Sequence, residues 1–185
     1  MPKFLPIIST SRNVCFIEGA IIKLDQGFLE IENVDPDIHT INGKKIIAVT
    51  KSVSTDDFLI CFEKGSLGNN IPSKKTTMTH NHEVFHNKKM RKAIDCMNFS
   101  RNINKVKYSG EILYNILMEE HQNIEVNNMI CETLNPKNPI AELYTILRYS
   151  SPEKQKTLAR EYNEYIIKNN KFNKNQINNF HSLMI

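Results

Sequence analysis

The chain has no tryptophan, only six glycines among 185 residues, and no Cys-x-x-C pair among its four cysteines. No apolar run approaches the roughly 18 residues that cross a bilayer, so no membrane span is expected. Near the start, Phe4 to Ile8 falls short of the apolar core of about 7 to 15 residues in a secretory signal, and the expectation is a cytoplasmic protein. Cys15, Cys61, Cys96 and Cys131 are far apart. Without an export signal or a paired-thiolate spacing, neither a disulfide framework nor a cysteine zinc site is favoured. The four are read as free thiols, with Cys61, Cys96 and Cys131 packing as small apolar side chains.

What the chain does have is 40% hydrophobic and 24% charged residues, an ordinary balance for a globular protein. Asparagine is abundant, at 23 residues. The formal net charge of +4 is unevenly placed: residues 1–135 carry 16 basic and 16 acidic side chains, and residues 136–185 carry eight and four. So modest an excess on one segment reads as a solvated helix face, with no specific nucleic-acid partner expected.

From Phe16 to about Ile130 the pattern is of short runs rich in Ile, Val, Phe and Thr between turn residues, the signature of strands and hairpins. Such runs are Ala20 to Lys23, Phe28 to Ile31, Lys45 to Val53, Phe58 to Phe62, Lys75 to Thr79 and Glu111 to Met118. Asp25-Gln26-Gly27 and Asn42-Gly43 signal tight turns, the second of the type I′ hairpin class. After Asn135-Pro136 the period changes. Ile140, Leu143, Ile146 and Leu147 recur at helical spacing, and so do Leu158, Tyr162, Tyr165 and Ile166, behind Ser151 as N-cap and Pro152 at the first helical position. A third helix is expected from Asn173 to Leu183. The reading is a mainly β body with a C-terminal α-helical extension whose apolar stripe docks on the body.

Three features carry potential chemistry: Cys15 at the start of the β body, Thr79-His80-Asn81-His82 directly after a predicted strand, and His121 with Asn127-Asn128, a pair suited to a left-handed turn. Each is bland alone. In order, however, four blocks are similar to the Hint (hedgehog/intein) domain family, above all its bacterial intein-like members that do not splice. Cys15-Phe16-Ile17-Glu18-Gly19-Ala20-Ile21-Ile22 resembles the opening Cys-Phe-x-x-Gly-Thr-x-Ile motif. Phe28 to Asp37 is similar to a second stretch, with Pro36 where the family has Gly. Gly65 to Pro72 followed by Thr77 to Val84 resembles the Gly-Ala-Leu-Gly loop and the Thr-x-x-His block, and is the most specific part. Tyr114 to Leu134 is similar to the closing block.

The resemblance implies a Hint-type all-β domain, horseshoe-shaped and pseudo-two-fold, over residues 15–134, with residues 1–14 as a flank and 135–185 as a helical tail. It also implies a self-processing activity. Cys15 would attack the Val14 carbonyl and convert the Val14-Cys15 peptide bond to a thioester. His82 would protonate the Cys15 nitrogen, Thr79 would hold the scissile amide, and His121 would assist breakdown of the intermediate. The substrate would be the chain's own N-terminal flank, and water, a thiol, an amine or an alcohol would resolve the thioester without any cofactor. Splicing members end in His-Asn; Glu132-Thr133-Leu134 stands there instead, and Thr cannot cyclise, so N-terminal cleavage without splicing is the outcome implied.

Two other readings stand beside this one. An inactive Hint-fold interaction module is supported by the β-branched Val14, which crowds the carbonyl, and by the shortness of the flank. A zinc site could draw on His80, His82 and His86 with Cys15 or His121, although loop histidines this close are more often solvated. A protein or lipid partner of the helical tail is a further alternative that no motif in the tail selects.

Overall fold

The computed structural model describes residues 8–10 and 14–169. In chain order the strands are β1 (Ile8–Thr10), β2 (Phe16–Ile17), β3 (Ile21–Leu24), β4 (Gly27–Glu30), β5 (Thr40–Ile41), β6 (Lys44–Ser54), β7 (Phe58–Phe62), β8 (Thr76–Met78), β9 (Glu83–His86), β10 (Lys89–Lys92), β11 (Ile103–Lys107), β12 (Leu113–Met118), β13 (Asn123–Val126) and β14 (Met129–Glu132). The helices are α1 (Ala93–Cys96), α2 (Pro139–Arg148) and α3 (Pro152–Asn169). One sheet runs β1-β6-β12-β2-β8-β7-β11, with β5 paired to β6; the other runs β10-β9-β14-β13-β3-β4. Every pairing is antiparallel except that of β1 with β6. The molecule is mainly β with a helical C-terminal portion, as the sequence predicts.

The turns follow their residue chemistry. Asn42 and Gly43 take φ of 52° and 72°, and Asn127 and Asn128 take 48° and 64°, the left-handed region that Asn and Gly tolerate. Gly19, at φ 79°, turns the chain from the first sheet into the second, and its N–H is held by the Glu32 carboxylate at 2.8 and 3.0 Å. Asn127 then ties three segments: its side chain accepts from Ile21 N–H at 3.0 Å and donates to Thr76 Oγ1 at 2.7 Å, while its carbonyl accepts from Ser73 N–H at 2.8 Å.

Several element boundaries differ from the sequence reading. The strand expected over Phe28 to Ile31 ends at Glu30, because Ile31 opens a 3-10 turn that buries its own side chain. Another strand, expected from Glu111, begins at Leu113, after a turn in which the Glu111 carboxylate accepts from Ser109 N–H. The hairpin β9–β10 and strand β11 are additional. Asn87 and Lys88 make the hairpin turn at positive φ, and β11 is an edge strand whose exposed residues hide its pattern.

The main core lies between the sheets, around Phe16, Ile22, Ile60, Phe62, Met78, Ile116 and Val126. A second cluster joins Ile8, Ala48, Leu117 and Leu134 to Ile140, Ala141, Tyr144, Leu147 and Ala159 of the helices. In α2, Asn138 caps the N-terminus by accepting from Ile140 N–H, and Pro139 takes the first position. Ser151 accepts from Lys154 N–H at 3.4 Å ahead of Pro152. The expected stripe of α3 is met in part: Leu158 and Tyr162 pack half-buried against the second cluster and Ile166 is half-buried, whereas Tyr165 is 65% exposed and Gln155, Ala159 and Asn163 are the residues that face inward. Gln155 replaces apolar contact with hydrogen bonds, donating to the Leu147 carbonyl at 2.8 Å and the Ser150 carbonyl at 3.2 Å, which closes the end of α2. The helix expected over Asn173 to Leu183 lies outside the described residues. No helix among the described residues is long and apolar enough to cross a membrane.

Tyr144 fixes the helices to the first sheet. Its buried hydroxyl donates to the Lys51 carbonyl and accepts from Lys51 N–H at 2.8 Å, so it occupies a ladder position at the edge of β6. Tyr144→Phe keeps the ring and removes this partner from two backbone groups, a loss of about 1–3 kcal/mol. Urea denaturation should show the midpoint falling by that loss divided by the slope, with the slope itself unchanged.

Candidate active site

The centre of the first sheet is the two-residue strand β2, inserted between β12 and β8 with Phe16 opposite both Tyr114 and Met78. Being central, it carries Cys15 into the interior, where only 3% of the residue is exposed. The next position along the β2–β8 ladder is formed unusually. Thr79 N–H donates to the Cys15 carbonyl at 2.9 Å, while Cys15 N–H donates to the Thr79 hydroxyl oxygen at 2.9 Å. A side-chain oxygen has taken the place that a strand carbonyl would fill.

Thr79 is held at the end of β8, and a turn from Thr79 to His82, closed by His82 N–H on the Thr79 carbonyl at 3.1 Å, brings His82 under Phe16. Short helix α1 backs this turn: Ala93 N–H donates to the His82 carbonyl at 2.7 Å and Ile94 N–H to the His80 carbonyl at 3.1 Å. The His82 ring lies 4.3 Å from the Phe16 ring. Its Nε2 is 3.1 Å from the Glu132 carbonyl oxygen, which can only accept, so Nε2 carries the proton and Nδ1 the lone pair. Nδ1 is buried without a hydrogen-bond partner. Burial pushes the imidazole pKa down to about 4, against the opposing pull of the Glu132 and Cys15 backbone.

The bond before Cys15 is gripped from another side. The Asn115 side-chain amide on β12 donates to the Val14 carbonyl, and its Oδ1 accepts from Ile116 N–H at 2.7 Å, which fixes the amide's orientation. Cys15 Sγ lies 3.6 Å from Ser52 Oγ on β6. Burial raises the thiol pKa to about 12; the Ser52 contact lowers it and the Asp56 carboxylate raises it, both by less.

Of the residues singled out in the sequence, Val14, Cys15 and Thr79 therefore meet at one peptide bond, and His82 lies beside them against the Phe16 ring, where the Cys15 backbone acts on it. His121 does not join them: it is 40% exposed on its side chain, with Nε2 3.3 Å from Glu132 Oε2. The link to the centre is indirect, since the Glu132 carbonyl receives His82 and its Oε1 accepts from Glu83 N–H at 2.9 Å. Burial raises the Glu132 carboxyl pKa, and His121 partly offsets this. Thr133 is wholly buried, with its hydroxyl donating to the Gln122 carbonyl at 3.0 Å and accepting from Gln122 N–H at 3.1 Å. The histidines proposed as metal ligands face apart. His80 pairs with Asp56 at 3.6 Å, His82 with Phe16, and His86 with Phe99 at 5.0 Å. Among the described residues no group of three or more His, Cys, Asp or Glu side chains is placed to hold a metal ion. The four cysteines are buried and free.

Asn115 and Ser52 were not reached from the sequence. The signal for Asn115 was present, as an amide in the middle of the otherwise apolar, wholly buried strand Leu113–Met118. Nothing in the sequence marked Ser52 among the polar residues of β6.

No protein-family model and no curated protein matches the chain. Solved structures are similar to it in fold. The solution structure of a bacterial intein-like domain from Clostridium thermocellum aligns at 14% identity with a TM-score of 0.47, over 67% of this chain and all of that one. The crystal structure of a variant of the Ssp DnaB mini-intein aligns at 12% identity with a TM-score of 0.43, over 67% of this chain and 97% of its own.

Because His82 binds its proton at about pH 4 when folded and near 6.5 when unfolded, the unfolded chain takes up the proton first on acidification. Stability is then complete above pH 6.5 and falls toward pH 4, by about 3 kcal/mol from this group. Denaturant titrations at pH 7 and 4.5 should show a larger loss in the wild type than in His82→Gln.

Proposed function

We propose that this chain is a self-processing domain of the Hint type, cleaving its own Val14-Cys15 peptide bond through an N-to-S acyl shift. The observation that carries the reading is that separate side chains of the β body attend each atom group of this bond. Asn115 donates to the carbonyl oxygen, Thr79 accepts from the nitrogen, and Ser52 lies beside the sulfur. A structural peptide bond in a sheet interior needs only backbone partners.

In the first step Cys15 Sγ bonds to the Val14 carbonyl carbon as the thiol proton leaves. The carbon–nitrogen bond then breaks, its electron pair staying on the Cys15 nitrogen, which gains a proton and becomes an amine. Asn115 is the donor for the oxyanion, an interaction worth about 100- to 1,000-fold in rate. The His82 Nδ1 lone pair takes the proton and returns it to the nitrogen. With a pKa of about 4 the imidazole is a poor base and, once protonated, a strong acid. In the resting geometry, burial disfavours both the thiolate and the imidazolium, so transfer from the thiol to this imidazole is uphill. The reaction is consequently slow, and small nucleophiles finish it. A thiol or water adds to the Val14 carbonyl carbon, the carbon–sulfur bond breaks, and Cys15 recovers its proton. His121 acts at a distance, through the Glu132 segment that orients His82. Thr133 has no side-chain amide to cyclise, so the second junction stays intact.

The burial that opposes thiolate formation also favours a second reading, an inactive interaction module that keeps the fold. Intact mass spectrometry separates the two. Under dithiothreitol or hydroxylamine the protein should lose residues 1–14 slowly, while Cys15→Ala stays whole; a wild type that also stays whole defeats cleavage and leaves the module. Because His82 takes the thiol proton within the site, the rate should be flat above about pH 5; a tenfold rise per pH unit between 7 and 9 would instead mean that solvent hydroxide removes it. Asn115→Ala should slow cleavage about 100- to 1,000-fold with the circular dichroism spectrum unchanged.

A further inference from the structure

The flank that would be cut away is itself part of the fold. Strand β1 is the edge of the first sheet and pairs in parallel with β6 in the register Ile8 to Ser52, Ser9 to Val53 and Thr10 to Ser54. Ile8 is wholly buried and belongs to the apolar cluster that joins Ala48 and Leu117 of the sheet to Ile140, Ala141, Tyr144, Leu147 and Ala159 of the helices; Val14 packs against the same cluster. Helix α3 lies against β1. The Tyr144 hydroxyl, already bonded to Lys51 of β6, also meets the Ile8 backbone. The strand therefore sits in a groove with the open edge of β6 as one wall and the helix pair as the other.

None of these contacts passes through the Val14-Cys15 bond. Cutting the bond removes the covalent link and leaves the ladder and the buried Ile8 in place. We propose that β6 with the α2–α3 pair forms a receptor for an extended peptide strand with an apolar anchor, and that the chain's own flank is its occupant before and after cleavage. Self-processing then yields a nicked, non-covalent complex instead of a free peptide. The mode is strand addition to a sheet edge, in which main-chain hydrogen bonds supply affinity and the Ile8 pocket supplies selectivity. The second half of this proposal rests on the cleavage reading, whereas the receptor itself does not.

Two measurements keep these apart. In the uncleavable Cys15→Ala chain, hydrogen exchange should show the amides of residues 8–10 protected, and Ile8→Asp in the same background should abolish that protection while the rest of the first sheet keeps its own. Unprotected amides at residues 8–10 in the Cys15→Ala chain overturn the receptor whether or not the wild type cleaves. In the wild type treated with dithiothreitol, denaturing mass spectrometry detects the nick, and native size exclusion then asks whether residues 1–14 elute with the remainder. Co-elution is expected, with Ile8→Asp releasing the peptide roughly 10- to 100-fold faster. A nicked wild type that elutes without its peptide overturns retention. A wild type that never nicks overturns retention together with the cleavage reading and leaves the receptor to the exchange result.

Discussion

Everything at the candidate site depends on β2 occupying the middle of a sheet while being only two residues long. Phe16 has strand partners on both sides, so its backbone cannot shift without breaking two ladders at once. One residue earlier the ladder gives way to side chains. Thr79 takes over on the β8 side, and Asn115 on the β12 side reaches back to Val14. A short central strand produces this arrangement, because a longer one would continue its own backbone pairing and leave the peptide bond nothing to meet except other peptide bonds.

Burial follows from the same placement and pulls the chemistry in two directions. The low polarity around Cys15 and His82 raises the thiol to about 12 and lowers the imidazole to about 4, holding both neutral. It also strengthens any donor aimed at developing charge, since water does not compete with Asn115 for the Val14 oxygen. Under the proposed cleavage, such a site would favour the charged intermediate through fixed dipoles while disfavouring charged reactants, a balance that suits a single slow turnover. Around it, bonded turns limit relaxation: α1 backs the His80–His82 turn, and Asn127 holds β3, β8 and Ser73 together.

The helical extension shares this economy of partners. Its apolar residues cover the outer face of the first sheet, and Tyr144 substitutes for a strand at the edge of β6 just where β1 stops. Flank, sheet and helices thereby share one apolar cluster, so the residues on either side of the β body are neighbours in space although they are far apart in the chain.

Much of this was legible beforehand. The alternating runs, the Asn-Gly and Asn-Asn turns and the change of period after Pro136 are local properties of residues, and local sterics and solvation set them. The four ordered blocks likewise pointed to Val14, Cys15, Thr79 and His82. Beyond that reach were the partners recruited by packing: Asn115 on Val14, Ser52 beside the sulfur, the Glu132 carbonyl on His82, and Gln155, Ala159 and Asn163 as the buried face of α3 beside the half-buried Leu158, Tyr162 and Ile166 of the expected stripe. Each depends on which side of a strand or helix finds a neighbour in the folded chain, and for Ser52 and Asn115 that neighbour is 37 and 101 residues away. Local sequence determined the elements, and the resemblance of the ordered blocks singled out Cys15 among the four thiols. Only the packing of β2 between β12 and β8 decided which polar side chains would surround its peptide bond, because that follows from long-range register and not from the residues' own preferences.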